Sequence, residues 1–140
     1  MSILSSGFKI SASILAADFK NLEDHIYQAK TFGCDEFHFD VMDGKFVPEI
    51  SMGPIILKSL KNLINIPLEV HLMVDDPIDQ IDSFIDLGVD IITFHIEASG
   101  NPSKLIHKIK SKGIKTGIAI KPNTHIDKIE EFIEEIDRVL

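Results

Sequence analysis

The sequence predicts an α/β fold of the (β/α)8 barrel type, with about the first five βα units present. Short β-branched runs alternate with longer amphipathic stretches, and the runs recur roughly every 20 to 30 residues. Alternation of this kind implies parallel strands joined by right-handed helical crossovers. An open doubly wound sheet is the competing arrangement. The first strand-to-helix turn, Ile14-Leu15-Ala16-Ala17-Asp18, has no glycine-rich dinucleotide fingerprint, which weakens that alternative. Polar residues stand at the C-terminal ends of several strands, where barrels carry their sites.

Each element has its own signal. The first strand is Lys9 to Ser13, followed by a helix from about Asn21 to Phe32 with Leu22, Ile26 and Ala29 on one face and Gly33 as its stop. Glu36 to Asp40 reads as the second strand. Pro54 opens the next helix, which carries Ile56, Leu57, Leu60 and Leu63. Pro67 to Met73 is the third strand, and Asp76-Pro77 begins a helix with Ile78, Ile81, Phe84 and Ile85, closed by Gly88. Ile91 to His95 is the fourth strand. Asn101-Pro102 starts a helix with Leu105, Ile106 and Ile109, and Lys115 to Ile120 is the fifth strand. From Thr124 to Ile136, the isoleucines 126, 129, 133 and 136 fall at helical steps, and Arg138 to Leu140 begins a sixth strand.

Composition narrows the function classes. The chain has 140 residues, 44% hydrophobic and 26% charged, which suits one globular domain over residues 1–140. A formal charge of −8 argues against a nucleic-acid surface. No apolar run approaches the ~18 residues of a membrane span, and Met1 to Gly7 lacks the pattern of a signal peptide. Cys34 is the single cysteine, so no internal disulfide framework is expected and a cytoplasmic setting is.

The densest chemistry lies in Phe37-His38-Phe39-Asp40-Val41-Met42-Asp43-Gly44-Lys45-Phe46-Val47-Pro48. Strand alternation turns His38 and Asp40 to one face and the phenylalanines to the other. In a barrel the phenylalanines pack under the helices and the polar pair faces inward. Buried polar groups need partners, so the pair is either a His–Asp hydrogen bond or part of a ligand set. In Leu68-Glu69-Val70-His71-Leu72-Met73, His71 and Met73 share a face. On the adjacent strand His71 would sit beside His38 and Asp40, and two imidazoles with a carboxylate suit a divalent metal. His95 could line the mouth, and Glu97 could orient a ligating imidazole. Ser13 could bond a ligand hydroxyl or simply end a strand. Met42 and Met73 read as an apolar cover or as core.

Five segments, in order and at matching spacing, resemble the ribulose-phosphate 3-epimerase family over essentially the whole chain. They are Ile10 to Phe19, His38 to Pro48, Val70 to Met73, His95 to Ala98 and Gly117 to Pro122. The run Asp40-Val41-Met42-Asp43-Gly44-Lys45-Phe46-Val47-Pro48 is the most diagnostic. Ala12 stands where that family usually has Pro, and Glu49 where Asn is common. The resemblance implies a ribulose-phosphate-binding barrel in which His38, Asp40 and His71 bind one divalent metal: zinc, iron(II), manganese or cobalt. It implies that Asp40 is one of two acid/base carboxylates. Ser13 and His71 would contact a sugar-phosphate substrate, and Met42 and Met73 would cap the reacting carbons. The implied reaction interconverts ribulose 5-phosphate and xylulose 5-phosphate by proton transfer at C3.

The same resemblance puts the second aspartate and the phosphate loops on later strands. The expectation is therefore an inactive 140-residue chain with an unclosed sheet edge, whose longer parent is an epimerase and a homo-oligomer. The competing readings are an enzyme acting on a six-carbon substrate such as allulose 6-phosphate, and a truncated product without catalysis. A decarboxylase-like barrel is weakened because its lysine-and-aspartate constellation is missing.

Overall fold

A computed structural model of the protein describes residues 7–140 and contains six strands: β1 (Ser11–Ser13), β2 (Glu36–Met42), β3 (Leu68–Met73), β4 (Ile91–His95), β5 (Lys115–Ala119) and β6 (Arg138–Val139). They form one sheet in sequence order, and every neighbouring pair is parallel. The N-terminal segment read above for a signal peptide lies, in its first six positions, outside the described residues. The sheet curls into the first part of a barrel. The curl is tight enough that Arg138 on β6 reaches Glu36 on β2 at 2.7 Å, and also Glu69 on β3.

Four α-helices fall between strands: α1 (Leu22–Thr31), α2 (Pro54–Leu60), α3 (Ile81–Asp86) and α4 (Pro102–Lys110). Their starts follow from local chemistry. Asn101 caps α4 by accepting from the Lys104 amide at 3.0 Å, and Pro102, which has no N–H to satisfy, takes the first turn. Lys108 and Lys110 sit in the last turn, where cations suit the helix dipole.

The two faces of the sheet differ sharply. Phe39, Val70, Leu72, Ile92, Phe94 and Ile118 point outward under the helices and are 0% exposed, as are Leu57, Ile81, Phe84, Ile109 and Ile129. This apolar layer supplies most of the burial that stabilises the fold. The inner face carries Glu36, Asp40, Glu69, His71, Thr93 and His95, all buried and all polar.

Two stretches differ from the sequence reading. The stretch expected as a helix from Thr124 to Ile136 is a 3-10 helix over Ile126–Phe132. Its amides bond three residues back, as in Lys128 N to His125 O at 3.1 Å. The buried residues are Ile129 and Phe132, three apart, while Ile126 and Ile133 stay exposed, so the packing follows the 3-10 period rather than the α period. The segment after Asp76 is likewise a 3-10 turn, Pro77–Asp79, followed by α3 rather than one helix.

The inner face is tight at one point. A Cβ placed on Gly117 of β5 would lie 2.2 Å from Thr93 Oγ1 and 3.1 Å from Thr93 Cβ, on the adjoining strand. Gly117→Ala is therefore expected to cost ~1–3 kcal/mol through overpacking. Gly100→Ala, with nothing within 4 Å of the new atom, should cost under ~0.5 kcal/mol. Urea unfolding of the two variants checks the difference.

Candidate metal centre

Register brings the inward polar residues to one level. Asp40 pairs with His71 across β2 and β3, His38 pairs with Ser13 on β1 and with Glu69 on β3, and Met42 pairs with Met73 at the strand ends. Because side chains alternate in both strands, His38, Asp40 and His71 all point into the concavity. Their facing atoms form a tight triangle. His38 Nε2 lies 3.0 Å from Asp40 Oδ1 and 3.3 Å from His71 Nδ1, and the third edge, His71 Nδ1 to Asp40 Oδ1, is 3.1 Å.

That triangle fits a metal ion. Ligands bound at ~2.0–2.1 Å in a tetrahedral site stand ~3.3 Å apart. Two imidazole nitrogens and one carboxylate oxygen are also a donor set that first-row divalent ions accept. His38, Asp40 and His71 are the one such cluster found among the described residues.

Each imidazole is tied down by its other nitrogen. His38 Nδ1 is 2.8 Å from Glu69 Oε2. His71 Nε2 is 2.9 Å from His95 Nε2, and His95 Nδ1 is 3.3 Å from Glu97 Oε2. Glu97 Oε1 in turn accepts from the Lys121 amide at 2.7 Å. The two ligand histidines therefore rest on separate supports, one a carboxylate and the other a second imidazole backed by a carboxylate. Asp40 is steadied by Ser13, whose hydroxyl donates to Oδ2 at 2.9 Å. Over the mouth, the Phe46 ring packs on His95 with centroids 4.8 Å apart, and Lys121 Nζ stands 3.8 Å above the same ring.

The electrostatics follow from these contacts. Burial disfavours a charge on His38, but its hydrogen bonds to Asp40 and Glu69 outweigh burial and raise its pKa to about 9. Burial pushes the Asp40 carboxyl up, and bonds from His38, His71 and Ser13 reverse that and hold it far below the carboxylate range. Glu69 is also opposed by burial, yet His38 and Thr93 bring it down to about 2. Burial and the neighbouring His71 lower the pKa of His95. In the metal-free centre His38 is thus a cation between two carboxylates. A metal must displace its Nε2 proton.

Ser13, His38, Asp40, His71, His95 and Glu97, all singled out in the sequence, come together here, with Met42 and Met73 half-buried at the rim. His25, His107 and His125 are exposed and apart, and Cys34 packs against the core. Glu69, Thr93, Phe46, Lys121 and Arg138 join them here without having stood out in the sequence. For Glu69 a signal existed, since it precedes His71 by two and must share its face. Arg138 had no local signal, because its partners are on β2 and β3.

Comparisons with known proteins place the chain among sugar-phosphate epimerases in sequence. The sequence profile of the Ribulose-phosphate 3 epimerase family matches residues 9–140. Curated ribulose-phosphate 3-epimerases are similar to the chain. The one from Treponema pallidum is 39% identical over 95% of this chain and 61% of its own length. That from Methanocaldococcus jannaschii is 47% identical over 94% of this chain and 56% of its own. The chain thus spans about three-fifths of the length of these relatives. Among solved structures, the N-acetylmannosamine-6-phosphate 2-epimerase from Clostridium perfringens superposes with a TM-score of 0.67. It is 14% identical and covers 94% of this chain and 60% of its own. A dihydropteroate synthase from Xanthomonas albilineans gives 0.61 at 11% identity, over 94% of this chain and 57% of its own. At such identity these two show the shared fold alone.

His38 sets a pH dependence. Its pKa is 6.5 when unfolded and about 9 when folded, so the stabilisation is fully present below pH 6.5 and is lost as pH rises through about 9. The urea midpoint of metal-free protein is expected to fall over that window, and His38→Gln should flatten the fall. His95, lowered rather than raised, changes charge below the upper part of that window and does not mask the fall near pH 9.

Proposed function

The chain belongs to the ribulose-phosphate 3-epimerase family, and on that premise we propose that the full-length protein carrying this chain interconverts D-ribulose 5-phosphate and D-xylulose 5-phosphate by moving the proton at C3. The observation that carries this reading is the convergence of His38 Nε2, Asp40 Oδ1 and His71 Nδ1 at the mouth of the curled sheet. These three atoms would hold a divalent ion, one of zinc, iron(II), manganese or cobalt. When bound, the ion supplies Lewis-acid stabilisation of negative charge on the substrate oxygens beside the reacting carbon.

The chain's own residues do the rest. A C–H proton next to a carbonyl is weakly acidic, so its removal needs a base held ionised and close. Asp40 would meet the first requirement as a carboxylate that accepts from the Ser13 hydroxyl. Its Oδ2 is held by Ser13 at 2.9 Å, which fixes the carboxylate plane and leaves the hydroxyl at the mouth to meet substrate. Met42 and Met73 would cover the reacting carbons with apolar surface and limit water there. Epimerisation needs one group on each face of the carbon. Asp40 serves one face, and the group for the other comes from outside this cluster.

The proposed setting is cytoplasmic. Among the described residues no helix is long and apolar enough to cross a membrane.

Coupled assay of xylulose 5-phosphate formation by the full-length protein tests the reading. Asp40→Asn is expected to lower kcat by ~10²–10⁴-fold, the range for losing a general acid or base. Activity should also vanish on chelation and return with added divalent metal. Full activity in Asp40→Asn would sink the assignment, and preference for a six-carbon substrate would redirect it.

A further inference from the structure

We infer that Glu69 is a positioning residue of the metal centre, holding His38 so that Nε2, and not Nδ1, faces the ion. The inference rests on the metal reading above and assigns a role to a residue that touches neither metal nor substrate.

Glu69 stands directly across from His38 in the β2–β3 register and on the same inner face as His71. It is 1% exposed. Its Oε2 lies 2.8 Å from His38 Nδ1. A carboxylate can only accept a hydrogen bond, so Nδ1 carries the proton and Nε2 presents its lone pair. That Nε2 is the atom 3.0 Å from Asp40 Oδ1 and 3.3 Å from His71 Nδ1. The carboxylate cannot swing away. Thr93 donates to Oε1 at 2.5 Å, and Arg138 donates to Oε2.

A purely structural role, neutralising Arg138, accounts for less. Arg138 already makes a two-point pair with Glu36, Nη1 to Oε1 at 2.7 Å and Nη2 to Oε2 at 3.0 Å. The guanidinium therefore has a complete partner without Glu69. A second buried carboxylate costs desolvation, and what it adds here is the bond to His38. Carboxylates that hold a ligating imidazole in this way tune its orientation and basicity.

The test uses cobalt(II) alone as probe, read by its visible absorption and by competition with a chelator. Glu69→Gln is expected to weaken cobalt affinity ~10–100-fold, as for other carboxylates behind a metal-bound histidine. Arg138→Gln, which leaves the Glu69–His38 bond in place, should stay within a few-fold of native. Equal weakening in both variants, or native affinity in Glu69→Gln, overturns the proposal. A second measurement needs no variant. Nitrogen-15 NMR of the zinc-loaded native protein should show the His38 proton on Nδ1, and a proton on Nε2 overturns the assignment. If native protein takes up neither metal, the metal reading itself fails and this inference falls with it, an outcome distinct from a variant that binds like native.

Discussion

A carboxylate carried into the interior of a parallel sheet loses its hydration, at a cost of several kcal/mol unless other groups replace the water. Glu69 is in that position, and much of the inner face is arranged to satisfy it. Thr93, His38 and Arg138 each donate to it, from β4, β2 and β6. The requirement propagates outward. Thr93 can lean toward Glu69 only because the facing position on β5 is Gly117. Arg138, drawn across the concavity, also binds Glu36, so β6 is tied to β2 and β3 as well as to its neighbour β5. Removing Glu69 would leave three donors on three strands without their shared acceptor.

The ligand triangle rests directly above this layer. Two imidazoles can approach one carboxylate at about 3 Å only if their ring nitrogens are assigned, one to the cluster and one to a support. His38 receives its support from below, from the Glu69 layer. His71 receives it sideways, from His95 and Glu97, and through Glu97 from the amide of Lys121 after β5. The centre is therefore braced by both the floor of the concavity and its rim. Phe46, from the loop after β2, adds an apolar wall where that rim meets Lys121.

Sequence and structure agree most closely where side-chain alternation governs. Period two turns Phe37 and Phe39 outward and His38 and Asp40 inward, and strand adjacency sets His71 beside that pair, and all lie so. The agreement is poorer where a helix is short. The stretch from Thr124 to Ile136 offered isoleucines at three- and four-residue steps, which suits an α-helix on paper. Within the 3-10 helix the buried residues are Ile129 and Phe132, three apart, a spacing that one turn of such a helix brings to one face.

Sequence alone determined the α/β class, the strand order in broad terms, the family and the candidate ligands, because all of these rest on local periodicity and on contiguous motifs. His38, Asp40 and His71 were legible because each lies on a strand whose inward face is readable two residues at a time. The tertiary structure alone decided which atoms meet. That His38 turns Nε2 to the cluster and Nδ1 to Glu69 depends on the register between β2 and β3. That Arg138 closes the floor depends on the curl of the sheet, which brings together residues 102 and 69 positions apart. Contacts of that kind follow from how strands are set beside one another, and no short-range pattern along the chain encodes them.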